Sequence, residues 1–196
     1  MAQVKKEAVR DAIFESAFTL FKERGYSETS MAQIAKQARV SPANIYVYFG
    51  SKLELLYQIY SPWLLDRMNQ LERDLNGISD PEARLRLILK TIWEDIPAEE
   101  NGFANNIMQA VSTARPDEGY KRDLLTQVEK MASRMLRDSL PPRRAEALSH
   151  EGLARILFMA FDGFAMNYKM GEDNAEIDRL IDVMVDLLLG REAQVA

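Results

Sequence analysis

Apolar residues return at helical spacing from one end of this chain to the other, and no stretch alternates apolar and polar residues as a half-buried strand does. Val9, Ile13, Ala17 and Phe21, with Phe14 and Phe18 beside them, form one stripe; Leu85, Ile88, Leu89, Ile92, Trp93 and Ile96 form another. Residues three and four apart share one face of a helix, so stripes of this kind are stable only when packed against other helices. The expected fold is therefore all-α, with about nine helices.

Local punctuation sets the expected boundaries. Gly25 ends the first helix near Arg24, because glycine accepts the left-handed conformation that follows a helix. Ser30 and Gln33 form a capping-box pattern ahead of Met31, Ile34, Ala35 and Ala38. Ser41-Pro42 opens a third short helix that runs to about Phe49, with serine as N-cap and proline at the first helical position. Ser51 and Glu54 open a fourth, which Pro62 is expected to kink or break, since proline lacks the N–H its turn requires. Asp80-Pro81 starts the stripe at Leu85 and Pro97 is expected to end it. Further helices are expected over 99–114, 116–139, 143–170 and 174–189, divided at Pro116, Pro141-Pro142 and Gly171. Short helices give way to long ones near Tyr60, which suggests a domain over 1–56 and another over 57–196, with the fourth helix shared.

An apolar share of 47% in 196 residues is enough for a core without staples, and the absence of cysteine rules out disulfides, thiolate metal sites and cysteine nucleophiles. The N-terminus turns amphipathic at once, and no later run approaches the roughly 20 apolar residues that a bilayer span needs, so a cytoplasmic protein with no membrane partner is expected. His150 is the single histidine, beside Glu151 at a polar helix start; neither a metal nor any other cofactor is expected. There is no Ser/His/Asp set, phosphate loop or HExxH motif, which argues against an enzyme.

The net charge of -5 conceals an asymmetry. Through Lys52 the chain carries eight basic and five acidic side chains, a surplus of +3, which leaves -8 on the remainder. A basic head on an acidic body suits a protein whose N-terminal part meets phosphate.

Two short helices joined by a tight turn are the sequence form of a helix-turn-helix. In the second of them Ile45 and Phe49 must face Ile34, Ala35 and Phe18, which turns Pro42, Ala43, Asn44, Tyr46 and Tyr48 outward. The small Ala43 allows close approach to base edges, and Asn44 can pair with an adenine edge through its donor and acceptor. Tyr46 and Tyr48 can reach phosphate oxygens with their hydroxyls. Lys52 in the first turn of the fourth helix, and Thr29 and Ser30 at the start of the second, offer further phosphate contacts. Ser41 and Arg39, at the turn, complete the expected DNA-facing set.

These residues carry a resemblance. FKERGYSETSMAQIAKQARVSPANIYVYFGSKLELL, residues 21–56, resembles the DNA-binding head of the TetR family of transcriptional regulators in its Gly25-Tyr26 entry, Thr29-Ser30 pair, Ile34-Ala35, Val40-Ser41 turn, Ile45-Tyr46, Phe49 and Lys52. Members of the family usually carry glycine where this chain has Arg39, and frequently histidine where it has Tyr48. A side chain at a left-handed position costs roughly 1 to 2 kcal/mol relative to glycine, tolerable in a packed domain.

The resemblance implies a C-terminal helical domain that dimerises and holds a small-molecule effector. The last two expected helices carry apolar residues beyond a single stripe, including Ile156, Met159, Phe161, Leu180, Leu187 and Leu188, which supports a homodimer through these helices. Trp63, Trp93, Phe103, Met108, Phe161 and Tyr168 are candidates to line an effector pocket, with Asn106, Gln109, Asp162 and Asn167 as polar groups that could orient a ligand. The expected function is a ligand-responsive DNA-binding transcriptional regulator, a homodimeric repressor released from a palindromic double-stranded operator by a small-molecule effector. The alternative is a helical interaction module without specific DNA binding, and salt-dependent binding to DNA separates the two.

Overall fold

A computed structural model of the chain describes residues 2–114, 123–148, 152–170 and 174–191, without the side chains of 2–5, 164, 166–170 and 174–175. Among the described residues there is no strand, and the helices are α1 (Ala2–Arg24), α2 (Met31–Gln37), α3 (Pro42–Tyr48), α4 (Lys52–Leu75), α5 (Pro81–Lys90), α6 (Ile96–Ala98), α7 (Phe103–Thr113), α8 (Asp123–Ser139), α9 (Pro142–Ala147), α10 (Gly152–Met170) and α11 (Asn174–Leu189). A π-helical turn, Thr91–Asp95, joins α5 to α6. No described helix is long and apolar enough to cross a membrane.

The surplus over nine helices comes from two divisions. The helix expected over 143–170 is split into α9 and α10, and the stripe from Leu85 to Ile96 is carried by α5, the π turn and α6. That stripe is wholly buried: Leu85, Ile88, Leu89 and Ile92 are inaccessible, and Trp93 and Ile96 nearly so. Pro97 does not end the helix, which continues to Ala98. Pro97 has no N–H to return to the preceding turn, and the Ile96 N–H reaches back five residues to the Thr91 carbonyl, the wider π pairing. Pro62 likewise does not break α4, which runs through it. It lies on the exposed side of the helix. Pro116, His150 and Gly171 lie outside the described residues.

The chain packs as two units, one from the described parts of Met1–Trp63 and Glu100–Lys121, the other from those of Leu64–Glu99 and Arg122–Ala196. These units divide inside α4, and α7 packs within the first of them, whereas the expected domains divide at residue 56. Two side chains of α7 explain this. Asn106, fully buried, donates to the Phe21 carbonyl at 3.0 Å and to the Tyr60 hydroxyl at 3.2 Å. Gln109 accepts from the Ser27 N–H at 2.8 Å. Burying the Asn106 amide is favourable only with its donors paired, and these bonds, with that of Gln109, seat α7 on the end of α1. Tyr60 in turn donates to the Asn101 carbonyl at 2.8 Å, and burial pushes its phenol up to about 12, only partly opposed by Asn106.

In the first unit Ile13, Ala17, Phe21, Ile34, Ala35, Ile45 and Phe49 form the core. Phe14, not Phe18, packs on Phe49, edge to face with ring centroids 5.2 Å apart. Phe18 is turned to the flank of α1, partly exposed and tilted against Tyr60. In the second unit the Trp93 indole N–H donates to the Leu157 carbonyl at 3.0 Å, joining the π turn to α10. α11 buries Ile177, Ile181, Val185 and Leu188 in packing on α5. Its other side leaves Leu180, Val183 and Leu187 exposed, as α10 leaves Ile156 and Met159.

Candidate nucleic-acid interface

The head is assembled from local caps on a shared core. At the end of α1, Gly25 takes φ +81° and returns its N–H to the Phe21 carbonyl at 3.0 Å. A side chain there would be strained by φ and would also meet Gln109, whose amide lies 3.0 Å from the position of a Cβ. At α2 both halves of the capping box form: Ser30 Oγ accepts from the Gln33 N–H at 3.2 Å, and Gln33 Oε1 accepts from the Ser30 N–H at 2.7 Å. Ser41 caps α3 by accepting from the Asn44 N–H at 3.1 Å, with Pro42 behind it. Ser51 Oγ accepts from the Glu54 N–H at 3.0 Å, while the Glu54 carboxylate accepts from the Gly50 N–H at 2.8 Å.

Between α2 and α3 the chain turns through Arg39, the one described non-glycine residue with positive φ, at 56°. The Val40 N–H donates to the Ala35 carbonyl at 2.9 Å and the Arg39 N–H to that of Lys36 at 3.2 Å. This is a Schellman end, with arginine in the left-handed position that glycine usually fills. Its side chain is exposed.

Ile45 and Phe49 are fully buried and fix the rotation of α3. Pro42, Ala43 and Tyr46 are exposed, whereas Asn44 and Tyr48 are half-buried. Val47, absent from the residues expected to face outward, is 76% exposed, the largest value among the described large apolar side chains. The signal for it was present in the sequence: Val47 follows the outward Ala43 by four residues and Ile45 by two, a little over half a turn from the core.

Two of the expected phosphate contacts have other partners. Thr29 is buried, its hydroxyl donating to the Gly25 carbonyl at 2.8 Å, so it braces the loop beneath Ser30. The Lys52 ammonium donates to the carbonyls of Tyr26 and Thr29, each at 2.7 Å, and lies 4.0 Å from the centre of the Tyr26 ring. Lys52 thereby ties the start of α4 to the loop before α2, since a cation over an aromatic face and between two carbonyls is held from three sides.

The candidate pocket residues are divided between the two units. The Trp63 and Phe103 rings meet at a tilt with centroids 4.8 Å apart in the first unit, where Met108 is half-buried on α7. Trp93 and Phe161 are buried in the second unit. The Tyr168 and Asn167 side chains lie outside the described residues. Asn106 and Gln109 are engaged with α1 and its following loop, so they serve the packing of α7. The Asp162 side chain is exposed on α10, and desolvation by its neighbours raises its carboxyl above the ordinary carboxylate value.

A two-helix turn with capped helices, a buried anchor on one side of the second helix and an exposed line on the other is a helix-turn-helix protein's reading head. Residues 13–59 match the family described as bacterial regulatory proteins, tetR family. The head of the chain thus carries the helix-turn-helix domain of that family of transcriptional regulators. It is 23% identical over 184 residues to the nicotine-responsive transcriptional repressor HdnoR of Paenarthrobacter nicotinovorans, covering 93% of this chain and 94% of that one. Among solved structures, FadR of Bacillus subtilis in complex with stearoyl-CoA shares the fold with a TM-score of 0.59 at 18% identity, covering 91% of this chain and 96% of that one. A transcriptional regulator from Saccharomonospora viridis in complex with choline does so with a TM-score of 0.60 at 20% identity, covering 91% and 94%.

Proposed function

We propose that this regulator is a homodimeric repressor that holds a near-palindromic operator through α3 and is released by a small-molecule effector bound in its helical body. The observation that carries the reading is the geometry of α3. Its buried Ile45 and Phe49 present Pro42, Ala43, Asn44 and Tyr46 outward on a head with a basic surplus, with Arg39 exposed at the turn. In the bound arrangement Asn44 pairs with an adenine edge, the hydroxyls of Tyr46 and Tyr48 and the Arg39 guanidinium contact phosphates, and Ser30 and Ser41 offer theirs at the helix starts. Thr29 and Lys52 hold the loop that positions them.

The dimer rests on the exposed Leu180, Val183 and Leu187 of α11 and the exposed Ile156 and Met159 of α10, an apolar face that a second copy would cover. Two copies then place two α3 helices on half-sites about one helical turn of DNA apart. Relatives named for nicotine, or solved with stearoyl-CoA or choline, support an effector of small-molecule class, with Trp63, Trp93, Phe103, Met108, Phe161 and Tyr168 as candidates for its contacts.

The test is selection of duplexes from a random library by the full-length protein, followed by titration at several salt concentrations. An enriched inverted repeat, bound more weakly as salt rises, is expected. Asn44→Ala should lower discrimination at one base pair of each half-site by about fivefold to a hundredfold. If no duplex is enriched at low salt, the chain is an interaction module and the repressor reading is lost.

A further inference from the structure

We infer that Ala43 and Val47 form an apolar ridge along α3 that reads the 5-methyl groups of two thymines in each operator half-site. The inference rests on the DNA-binding reading above and assigns part of its specificity. Ile45 is buried without residual exposure, and the positions two before and two after it are carried to the opposite side of the helix. Those positions are Ala43 and Val47, both exposed, four residues apart and therefore in line on one face.

Chemistry decides what such a line can recognise. Neither side chain can donate or accept a hydrogen bond, so neither discriminates among the polar edges of base pairs. The one apolar feature of the major groove is the thymine methyl. Valine suits this task because branching at Cβ restricts it to few rotamers, which presents its two methyl groups in a fixed place before binding. Asn44 and Tyr46 flank the ridge, so the apolar line runs between polar side chains that can reach base edges and phosphates. Along the helix axis Ala43 and Val47 are separated by about 6 Å, close to two base-pair steps of about 3.4 Å. The two thymines are thus expected about two steps apart, on the same or opposite strands.

The experiment uses the full-length protein and the duplex it enriches, with each thymine replaced singly by deoxyuridine, which removes the methyl and leaves the pairing edge intact. Affinities are read by fluorescence anisotropy at one salt concentration. At two positions per half-site deoxyuridine should weaken binding by about threefold to fivefold, the effect of one methyl taken from apolar contact. Val47→Ala, at an exposed position where folding is not at stake, should weaken binding to the thymine duplex by a similar factor. At the position Val47 reads, it should show no further loss on deoxyuridine. Specific binding that is indifferent to every deoxyuridine overturns this inference and leaves the repressor reading intact. So does an independent, multiplicative loss from Val47→Ala and deoxyuridine at every position. Failure to enrich any duplex overturns both.

Discussion

Arg39 shows how much a single backbone angle can hold. Its φ of 56° closes α2 through the two hydrogen bonds of a Schellman end, and every other described residue with positive φ is glycine. The left-handed conformation disfavours any Cβ, whereas glycine at this place adds conformational freedom to the unfolded chain. Arg39→Gly should therefore stabilise the protein by about 1 kcal/mol or less in urea denaturation, the strain relief exceeding the unfolded-state term. If Arg39 also meets phosphate, the same variant should reduce the slope of log affinity against log salt by about one. A variant that is less stable than the parent would show that the arginine side chain makes a compensating contact. Lys52 carries the opposite lesson: its charge is directed at the carbonyls of Tyr26 and Thr29, so its first effect is on the loop that presents Ser30.

At the scale of an element, the π turn places Thr91, Ile92 and Trp93 in the core and leaves Asp95 partly buried at its end. Burial raises the Asp95 carboxyl above its ordinary value of 3.8, and the charge of Glu94 adds to this; Lys90, Arg67 and a hydrogen bond with Thr91 act the other way. A carboxyl raised on folding keeps its proton to higher pH in the native state than in the unfolded one. Its contribution is therefore most favourable below the unfolded value and is lost as pH rises through the folded one, so at neutral pH the charge is a standing penalty. Asp95→Asn should raise the melting temperature at pH 7, and the difference from the parent should shrink towards zero as the pH falls to about 4. An equal gain at both pH values would assign the effect to packing and not to charge. The turn itself lies where Pro97 removes a donor, and the shift to five-residue pairing keeps the stripe from Leu85 to Ile96 facing inward.

At the scale of the whole molecule, α11 has two apolar sides. Ile177, Ile181, Val185 and Leu188 are buried within the chain, while Leu180, Val183 and Leu187 are exposed at 44%, 53% and 56%. Isolated apolar residues on a surface need no explanation, but three at helical spacing on one side of α11 form a stripe, and α10 leaves Ile156 and Met159 exposed as well. Leu187→Glu should convert a dimer to a monomer in sedimentation velocity and weaken operator binding with it, because a monomer holds one half-site. A parent protein that sediments as a monomer at micromolar concentration would remove the dimer from the proposal. The ion pairs near α11, Arg191 with Glu82 and Arg86 with Asp182, are exposed and contribute little to either equilibrium.

The sequence by itself determined the helical class, the capped starts of α2, α3 and α5, the end of α1 and the helix-turn-helix, because each depends on residues within three or four positions of one another. Apolar periodicity and a cap such as Ser41 on Asn44 are local and therefore legible. Tertiary structure alone decided that α7 belongs with the head, through Asn106 and Phe21, 85 residues apart, and Gln109 and Ser27, 82 apart. It also turned Thr29 inward, set Lys52 between two carbonyls, exchanged Phe18 for Phe14 against Phe49, and left Val47 outermost. These outcomes follow from which buried polar groups must find partners and from the rotation that packing imposes on each helix, and neither leaves a periodic mark in the chain.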